Sequence, residues 1–539
     1  MRHKNIIIAL ALGMTALVVF LPGTASMSLW DRDEACNAQC AREMLQRKDP
    51  IVPTFNFSLR TDKPPLEYWA VMASYSLLGV NEFAARLPSV LFSVGTILLV
   101  FIFGSRLWGT EVGLLASLIM LSSIHFPIVA RAATPDPAFI FFLTLSLLLF
   151  LTEKPTLGYG AAGLAVLAKG PLGIVIPLGT ELLYLLFSEG KGKVKKAFPL
   201  KGVSLFLAIA LPWYVVVDVK THNEFFKGFI LYHNVTRFLR PIGGHRGPAF
   251  YYVLVLLVAL LPWSPLLLQT LYHLFRRAKE CKGNHLFIYL WILFSFALFS
   301  LAKTKLPNYI MPVYPALALA MALEAKERVE KGLNRDLRPA MRGTLVSLGI
   351  IAILLGFMGL QGTFASPGLS LMAGVILLLG IWGFQKTEKA PLRWFTTLAF
   401  LMAVLLTAIP HFTVPRLEQR KLSPSFARKI RSEIGKGDLI VTYPFSIPSL
   451  VFYTNHRVIR ERKRSSLKKF LASHGSSRIF IVTRPKKLRA VYRVWKGKVR
   501  VLERGHSLYP HGKLALALLS PIHRQAPGRP GGDHAKQRH

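Results

Sequence analysis

Three acidic residues stand beside a long apolar run near the start of the chain. Residues 30–44 read WDRDEACNAQCAREM and follow the run IIIALALGMTALVVFL, so Asp31, Asp33 and Glu34 lie within a few residues of a membrane boundary. An ionised carboxylate is costly to hold in apolar surroundings. Two interpretations are open: the acids stabilise the dipole at the start of a helix, or they serve chemistry at the boundary as a base.

A lysine in a rigid polar segment follows in the same loop. Residues 61–69 read TDKPPLEYW, which sets Lys63 between Asp62 and two prolines, with Tyr68 behind them. The prolines restrict the backbone, and Tyr and Trp are typical of the membrane interface. The pattern fits a rigid interfacial turn and, equally, a functional cation.

The composition indicates what kind of protein positions these residues. Of the 539 residues, 52% are hydrophobic and only 17% are charged, and apolar runs long enough to cross a bilayer recur along the chain. The formal net charge of +40 comes from basic loops beside these runs, a pattern that indicates membrane orientation and anionic lipid rather than nucleic acid. Cys36 and Cys40 form no CxxC pair, so neither a cysteine metal site nor a disulfide is expected.

The apolar runs predict a mostly α, polytopic helical bundle of about thirteen transmembrane helices. MRHK and the following run also resemble a signal peptide, but we expect a retained first helix. With the N-terminus inside, the count places outer loops 24–86 and 220–249 on one side and the basic loops on the other. The predicted spans cover residues 5–23, 87–104, 111–130, 137–151, 157–169, 171–187, 200–219, 250–271, 285–302, 307–325, 343–361, 367–384 and 393–411.

The chain changes character after residue 412. DLIVTYPFS, SLVFYTNHRVI and SRIFIVTR predict strands, and SPSFARKIRSEIG and SSLKKFLASHG predict helices between them. This alternation predicts a small α/β domain over residues 413–520, outside the cytoplasm. The basic, Pro- and Gly-rich tail 521–539 is predicted to be disordered.

The motifs together resemble the membrane-embedded glycosyltransferases that use polyprenyl-phosphate sugars. These are the protein O-mannosyltransferase superfamily, and the bacterial aminoarabinose transferases that modify lipid A resemble the chain most. The resemblance rests on DEACNAQCAREML and DKPP in the first outer loop, and further on RAATPDPAF (131–139), LAKGP (167–171), YHNVTRFLRPIGGHRGPAFYY (232–252), LAKTKLPNYIMPVYPALAL (301–319) and FYTNHRVI (452–459). It implies a C-type glycosyltransferase fold for residues 1–412, with interfacial helices in loop 24–86.

The resemblance also implies roles for individual residues. Asp33 aligns with the acid of the first outer loop and is the predicted catalytic carboxylate, with Glu34 second and Asp31 third. Predicted cations for the donor phosphate are Lys63, Arg237, Lys303 and Lys305, although snorkelling lysines are an equal explanation for the last two. Relatives usually carry Arg-Tyr where this chain has Cys36-Asn37, which leaves the phosphate to these other cations.

Further site candidates are Asp62, Tyr68 and Asp136. Asp136 precedes Pro137, so an N-cap is the alternative for it. His233 and His245, with Asp62, form a candidate divalent-metal site, although the sequence requires no cofactor.

The predicted function is an inverting hexosyl- or pentosyltransferase of the bacterial inner membrane, with its site facing the periplasm. It would move a sugar from undecaprenyl phosphate to lipid A, another glycan or a protein, with membrane lipids as further partners. The alternatives are a lipid or sugar transporter or flippase, and a catalytically inactive relative. The sequence contains no internal repeat of the transporter kind, and its charged residues concentrate in outer loops.

Overall fold

The computed structural model describes residues 2–31, 33–240, 246–248, 250–277, 280–362, 364 and 366–521. The chain forms two compact units, Met1–Gln419 and Arg420–His539. The predicted boundary after residue 412 falls inside a helix that continues to Glu418.

The first unit is helical. Its α-helices are α1 Arg2–Phe20, α2 Asp33–Arg47, α3 Leu66–Leu78, α4 Glu82–Trp108, α5 Thr110–Ser122, α6 His125–Ala130, α7 Asp136–Leu151, α8 Pro155–Lys169, α9 Leu172–Ser188, α10 Leu200–Lys220, α11 Glu224–Phe226, α12 Arg237–Leu239, α13 Tyr251–Ala259, α14 Ser264–Arg276, α15 Gly283–Leu301, α16 Tyr314–Glu330, α17 Arg338–Gln361, α18 Pro367–Thr387 and α19 Pro391–Glu418. Between them lie the 3-10 helices Lys191–Ala197, Pro307–Val313 and Asn334–Leu337, the π-helix Lys227–Thr236, and a hairpin of β1 Thr54–Phe55 and β2 Ser58–Leu59.

Seven helical segments within the described ranges are long and apolar enough to cross a membrane. They are His3–Phe20, Glu82–Trp108, Leu200–Lys220, Gly283–Leu301, Asn334–Gln361, Pro367–Thr387 and Pro391–Glu418. Shorter apolar helices are Thr110–Ser122, Asp136–Leu151 and Leu172–Ser188. The prediction of a mostly α, polytopic bundle is therefore confirmed in its general form.

The predicted span 250–271 is wrong as one continuous helix. The structure has α13 and α14 there, separated at residues 260–263. Pro262 has no N–H for a helical hydrogen bond, and it disfavours the helical conformation of Leu261. The segment contains enough apolar residues for a span, but its helix is interrupted at Pro262.

The first outer loop is an ordered layer. α2 and α3 pack against each other, and the β1–β2 hairpin packs on α2. Asp33 and Glu34 occupy the first turn of α2, where carboxylates favour the helix dipole. α3 begins immediately after Pro64 and Pro65, because Pro fits the start of a helix and stops any helix before it.

The second unit is a five-stranded sheet with helices. Its strands are β3 Leu439–Tyr443, β4 Val458–Arg460, β5 Ile479–Thr483, β6 Lys498–Ser507 and β7 Gly512–Ser520, in the order β4-β3-β5-β7-β6. β3 is parallel to β4 and β5, whereas β7 is antiparallel to β5 and β6. Its helices are α20 Leu422–Glu433, α21 Pro448–Thr454, α22 Arg464–Ser473 and α23 Pro485–Tyr492.

One predicted strand of this unit is wrong. In SLVFYTNHRVI, the residues up to Thr454 belong to helix α21, and only Val458–Arg460 are a strand. The parallel pairing of β3 with β4 requires a crossover, and α21 provides it, with Pro448 in its first turn. The predicted tail lies, apart from Pro521, outside the described residues.

Candidate active site

The loop between the hairpin and α3 presents an ion pair and a lysine. The Arg60 guanidinium bonds both carboxylate oxygens of Asp62, through Nε to Oδ1 and through Nη2 to Oδ2 at 3.0 Å. Arg60 also lies 5.8 Å from the centroid of the buried Tyr68 ring. Lys63 directly follows Asp62. The two prolines after Lys63 restrict the backbone between it and the start of α3.

Asn37 joins this loop to α2. Its side-chain oxygen accepts from Nη2 of Arg60 at 2.9 Å, and its amide donates to the backbone oxygen of Ala133 at 3.0 Å. Asp33 is exposed and lies four residues before Asn37 on the same helix, so the two share a face of α2. The predicted catalytic carboxylate is therefore one helical turn from Asn37, the residue that accepts a hydrogen bond from Arg60.

A cavity of ≈ 420 Å³ lies beside this loop. Its polar lining includes Asp62, Lys63, Lys169, His233 and Arg237, and it also has a wall of apolar side chains that includes Leu172, Val175, Phe238, Leu298 and Phe299. These residues come from the first outer loop, the end of α8, the start of α9, the 220–249 loop and the end of α15. The fold thus brings distant segments to one amphipathic cavity.

The cations in and beside the cavity differ in whether they form ion pairs. Arg60 and Lys169 are paired with Asp62 and Asp136 respectively. Within the described part of the chain, neither Lys63 nor Arg237 forms an ion pair; Arg237 donates through Nη1 to the Tyr309 hydroxyl at 3.3 Å. The cavity therefore presents two cations that form no ion pair with the described residues.

Asp136 is held on both carboxylate oxygens. Lys169 donates to Oδ1, and the Asn308 amide donates to Oδ2 at 3.2 Å. α7 begins at Asp136 itself, with Pro135 at the N-cap position, so the N-cap alternative is wrong. Gly170 follows Lys169 with φ +89°, and an added Cβ would lie 2.6 Å from the Phe229 ring. A glycine is required there, because side chains rarely adopt this backbone and Phe229 fills the space.

The Asn308 amide continues the network to a histidine. Its Oδ1 lies 3.1 Å from Nε2 of His125, and Nδ1 of His125 lies 2.8 Å from the Tyr314 hydroxyl. A carboxylate can only accept, so the Asn308 NH₂ faces Asp136 and its oxygen accepts from His125 Nε2–H. The other ring nitrogen faces the Tyr314 hydroxyl, a group that can donate or accept a hydrogen bond.

Glu34 is enclosed, unlike its neighbour Asp33. It is 4% exposed, and its carboxylate pairs with the fully buried Arg86 through Nη2 at 2.8 Å and Nε at 2.9 Å. The backbone N–H groups of Trp30 and Ala133 also donate to it, at 2.9 and 2.8 Å. All of its strong acceptor directions are used inside the fold.

Comparison with known proteins places the chain in a family. Residues 62–215 match the family model described as dolichyl-phosphate-mannose-protein mannosyltransferase. An uncharacterized protein of Aquifex aeolicus is 31% identical over 83% of this chain and 87% of its own length. The undecaprenyl phosphate-alpha-4-amino-4-deoxy-L-arabinose arabinosyl transferase of Edwardsiella ictaluri is 31% identical over 68% of this chain and 64% of its own. The chain belongs to the dolichyl-phosphate-mannose-protein mannosyltransferase superfamily.

The fold agrees with this membership in the superfamily. The crystal structure of ArnT from Cupriavidus metallidurans bound to undecaprenyl phosphate superimposes with a TM-score of 0.78, at 20% identity, over 96% of this chain and 99% of that one. At this identity the likeness concerns the fold alone. The chain is thus a multi-pass membrane protein with the architecture of that superfamily.

The charged residues that line the cavity differ in how their surroundings shift their pKa values. Burial alone would raise the pKa of Asp62, but the charge and hydrogen bonds of Arg60 hold the pKa well below its usual range. Burial lowers the pKa of Lys63, and the nearby cations Lys169 and Arg237 act in the same direction, whereas the carboxylates of Asp62 and Asp136 oppose this shift without cancelling it. An anion bound beside Lys63 would relieve this repulsion.

The predicted metal residues are only partly placed. His233 lines the cavity with Asp62, and burial lowers the pKa of His233. His245 lies outside the described residues. Among the residues that the structure does describe, no group of three His, Cys, Asp or Glu side chains could hold a metal ion.

Lys303 and Lys305 are next in sequence to residues that line the cavity, but they do not line it themselves. Lys303 is exposed, and its backbone N–H donates to the Phe238 carbonyl at 2.9 Å. The buried Lys305 ammonium donates to the Ser300 carbonyl at 2.7 Å and lies 5.2 Å from the centroid of the Tyr252 ring. Neither of these two predicted cations lines the cavity with Lys63 and Arg237, although the neighbouring Ala302 and Thr304 do.

Several site residues were not singled out from the sequence. Lys169 stands in LAKGP and Asn308 and Tyr309 in KLPNY, motifs that were noted only as whole segments. A lysine at the end of an apolar helix is a signal in itself, because such a charge needs a partner. Arg86, the partner of Glu34, had no such signal.

Proposed function

We propose that this chain is an inverting glycosyltransferase that moves a sugar from a polyprenyl-phosphate carrier to an acceptor hydroxyl or amine. The observation that carries the proposal is the pair Lys63 and Arg237, which form no ion pair with described carboxylates, facing a cavity with an apolar wall. A polyprenyl phosphate has this amphipathic character, with an anionic headgroup and an apolar chain. The names of relatives from Edwardsiella ictaluri and Serratia proteamaculans, which cite undecaprenyl phosphate and arabinosyl transfer, support it.

The reaction would be a single displacement at the anomeric carbon. The acceptor oxygen or nitrogen forms a bond to that carbon, and the bond from the carbon to the phosphate oxygen breaks with its electron pair. Lys63 and Arg237 would neutralise the negative charge that develops on the leaving phosphate. Because one displacement occurs, the configuration at the anomeric carbon inverts.

Asp33 would take the proton of the acceptor. It is an exposed carboxylate in the first turn of α2, one turn before Asn37, which is bonded to Arg60. A base must reach the incoming acceptor, and an exposed carboxylate can do so. Glu34 is the less suitable base, because Arg86 and two backbone N–H groups already occupy its oxygens.

The finer features of the proposal rest on the apolar runs of the sequence and on the names of the relatives. We infer about thirteen crossings, with the cavity and the second unit on the periplasmic side of the bacterial inner membrane. The transferred group is a pentose of the aminoarabinose type, and lipid A is the acceptor. The divalent-metal role suggested for His233, His245 and Asp62 stays a prediction.

Transfer by the purified protein tests the proposal. Wild type, Asp33→Asn and Glu111→Gln are each incubated in detergent with radiolabelled undecaprenyl-phosphate sugars and a membrane lipid extract. Glu111 is the control, since it is another exposed first-turn carboxylate, on α5. We expect labelled lipid from wild type and Glu111→Gln and very little from Asp33→Asn.

Two other outcomes would count against parts of the proposal. Full transfer by Asp33→Asn would remove Asp33 as the base and leave the glycosyltransferase assignment intact. No transfer by wild type from any donor, together with movement of labelled lipid across liposomes, would favour the flippase alternative.

A further inference from the structure

The second unit has a strongly basic surface. Glu461 is the single acidic residue between His456 and Arg500. The exposed cations of this stretch lie before α22, on α22, on α23 and just after it. We call those that lie outside the strands the basic face: Arg457, Arg462, Lys463, Arg464, Lys468, Lys469, Arg484, Lys486, Arg489, Arg493 and Lys496.

The packing of the two helices fixes the direction of these cations. Leu467 and Leu471 of α22, and Leu488 and Val491 of α23, are buried in one hydrophobic cluster with alternate residues of β3, β5 and β7. Both helices therefore lie on the same face of the sheet. Because their apolar positions are used against the sheet, their charged positions point away from it.

α20 and α21 lie on the opposite face of the sheet. The connection β3–α21–β4 moves outward across the sheet, and β4–α22–β5 returns in the other direction. Both connections join parallel strands, so right-handed crossovers place α21 and α22 on opposite faces. α20 packs on α21. Its exposed Arg428 and Arg431 thus belong to a different surface.

The cations of α22 and α23 lack the neutralisation found elsewhere in the unit. Lys429 pairs with Glu503, Arg478 with Asp438 and Arg500 with Glu433. In the portion of the unit that the structure describes, no such ion pair is formed by α22 or α23. The positive field of the basic face is therefore uncompensated.

An exposed aromatic residue lies among these cations. Tyr492, at the end of α23, is 49% exposed and stands next to Arg493 and three residues from Arg489. It is the single large hydrophobic side chain of the described second unit that ranks as exposed. Tyrosine with an apolar ring and a polar hydroxyl is typical of membrane interfaces.

We propose that the basic face binds an anionic membrane surface through the phosphate groups of its lipids. The cations are spread over two helices and the segment before them, so they could contact the headgroups of several lipids in a membrane surface at once. Lys63 and Arg237, by contrast, line one cavity, as suits a single phosphate. The inference concerns the second unit alone and does not depend on the proposed sugar transfer.

Hydrogen exchange of the full chain in nanodiscs tests this inference. Exchange of the α22 and α23 amides is compared between nanodiscs of phosphatidylcholine and nanodiscs that also contain phosphatidylglycerol. We expect several-fold slower exchange with phosphatidylglycerol at low salt, and loss of the difference at high salt. Each variant is compared with itself in the two lipids, so a general change in its stability cancels.

A matched pair of variants assigns the effect to the basic face. Lys486→Gln/Arg489→Gln removes two of its charges, and Arg428→Gln/Arg431→Gln removes two charges from α20. The first pair should abolish most of the phosphatidylglycerol effect and the second should leave it. Equal exchange in the two lipids for wild type, or an equal loss in both pairs, would overturn the proposal. So would the same slowing by a soluble phosphorylated sugar in phosphatidylcholine alone, because that outcome assigns the face to a single phosphate ligand.

Discussion

The carboxylate of Glu34 and the guanidinium of Arg86 form a buried pair, 2.8 Å apart at Oε2 and Nη2. Arg86 also donates to the backbone carbonyl oxygens of Thr24, Met27 and Ser28. The pair therefore fastens the segment before α2 to the start of α4. Asp33, the residue before Glu34, is exposed. Two adjacent acids thus have separate tasks, one in stability and one available for chemistry.

Breaking this pair should destabilise the first unit. Arg86→Met leaves a buried carboxylate without its partner and three carbonyls without their donor, so we expect a loss of about 3–5 kcal/mol in the free energy of unfolding. Thermal and denaturant unfolding in detergent measure it. Arg106→Met is the control on the same helix, because Arg106 is exposed. An equal loss in both variants would contradict the structural role of the pair.

Loss of a cavity cation should weaken donor binding. Lys63→Met removes a charge that no described carboxylate pairs with, and a charged hydrogen bond is worth roughly 1.5–3 kcal/mol. We expect the KM for the lipid donor to rise roughly 10- to 100-fold. Lys303→Met is the control, because Lys303 is exposed and does not line the cavity. Equal KM changes in the two variants would show that general charge, and not this cavity, attracts the donor.

Donor binding should weaken at alkaline pH because of Lys63. Burial lowers its pKa, so the lysine loses its proton at a lower pH than an ordinary lysine does. The charged form binds phosphate; affinity is therefore full below the lowered pKa and falls as the pH rises through it. Lys63→Arg keeps its charge throughout, so its alkaline limb should move to higher pH in a pH profile of kcat/KM. An unmoved limb would mean that another group causes it.

Glu67→Gln should stabilise the protein. Glu67 is 1% exposed, its Oε2 has no hydrogen-bond partner among the described residues, and its Oε1 accepts from the Ser89 hydroxyl at 3.5 Å. Burial raises its pKa well above the usual range, with the charge of Asp136 as the second cause. The folded state thus keeps Glu67 protonated, whereas the unfolded state releases this proton once the pH exceeds the ordinary pKa of a glutamic acid.

The sign of this effect can be measured. Wild type loses stability as the pH rises above the ordinary pKa of a glutamic acid and toward the raised one, whereas Glu67→Gln does not. The melting-temperature advantage of the variant should therefore grow with pH over this window. The exposed Glu111→Gln should give no such trend. A flat difference between wild type and Glu67→Gln would contradict the buried, protonated state.

The general form of the first unit could be predicted from the sequence, because helices that cross a bilayer must be apolar and the loops on one side are basic. The sequence did not decide whether Pro262 would interrupt a helix, because Pro88 and Pro177 lie inside helices of the same unit. In the second unit, the aromatic and β-branched residues of SLVFYT favour a strand by type. The parallel pairing of β3 and β4 imposes a helix there instead.

The candidate site was predictable in part. Asp62 and Lys63 stand in a motif whose residue types indicate an anionic ligand, and Arg237 stands in the second outer loop. The pairs Lys169–Asp136 and Glu34–Arg86 join residues 33 and 52 positions apart, so only the packed helices reveal them. Those pairs decide which cations stay available for a phosphate.

Binding of the carrier tests the central claim most directly. Undecaprenyl phosphate and undecaprenol are titrated into wild type and Lys63→Met/Arg237→Met in the same detergent, with Kd as the readout. The two lipids share the apolar chain and differ in the phosphate. We expect wild type to bind the phosphate far more tightly than the alcohol, and the double variant to bind both weakly and alike. Equal binding of the two lipids by wild type would contradict a phosphate site at Lys63 and Arg237.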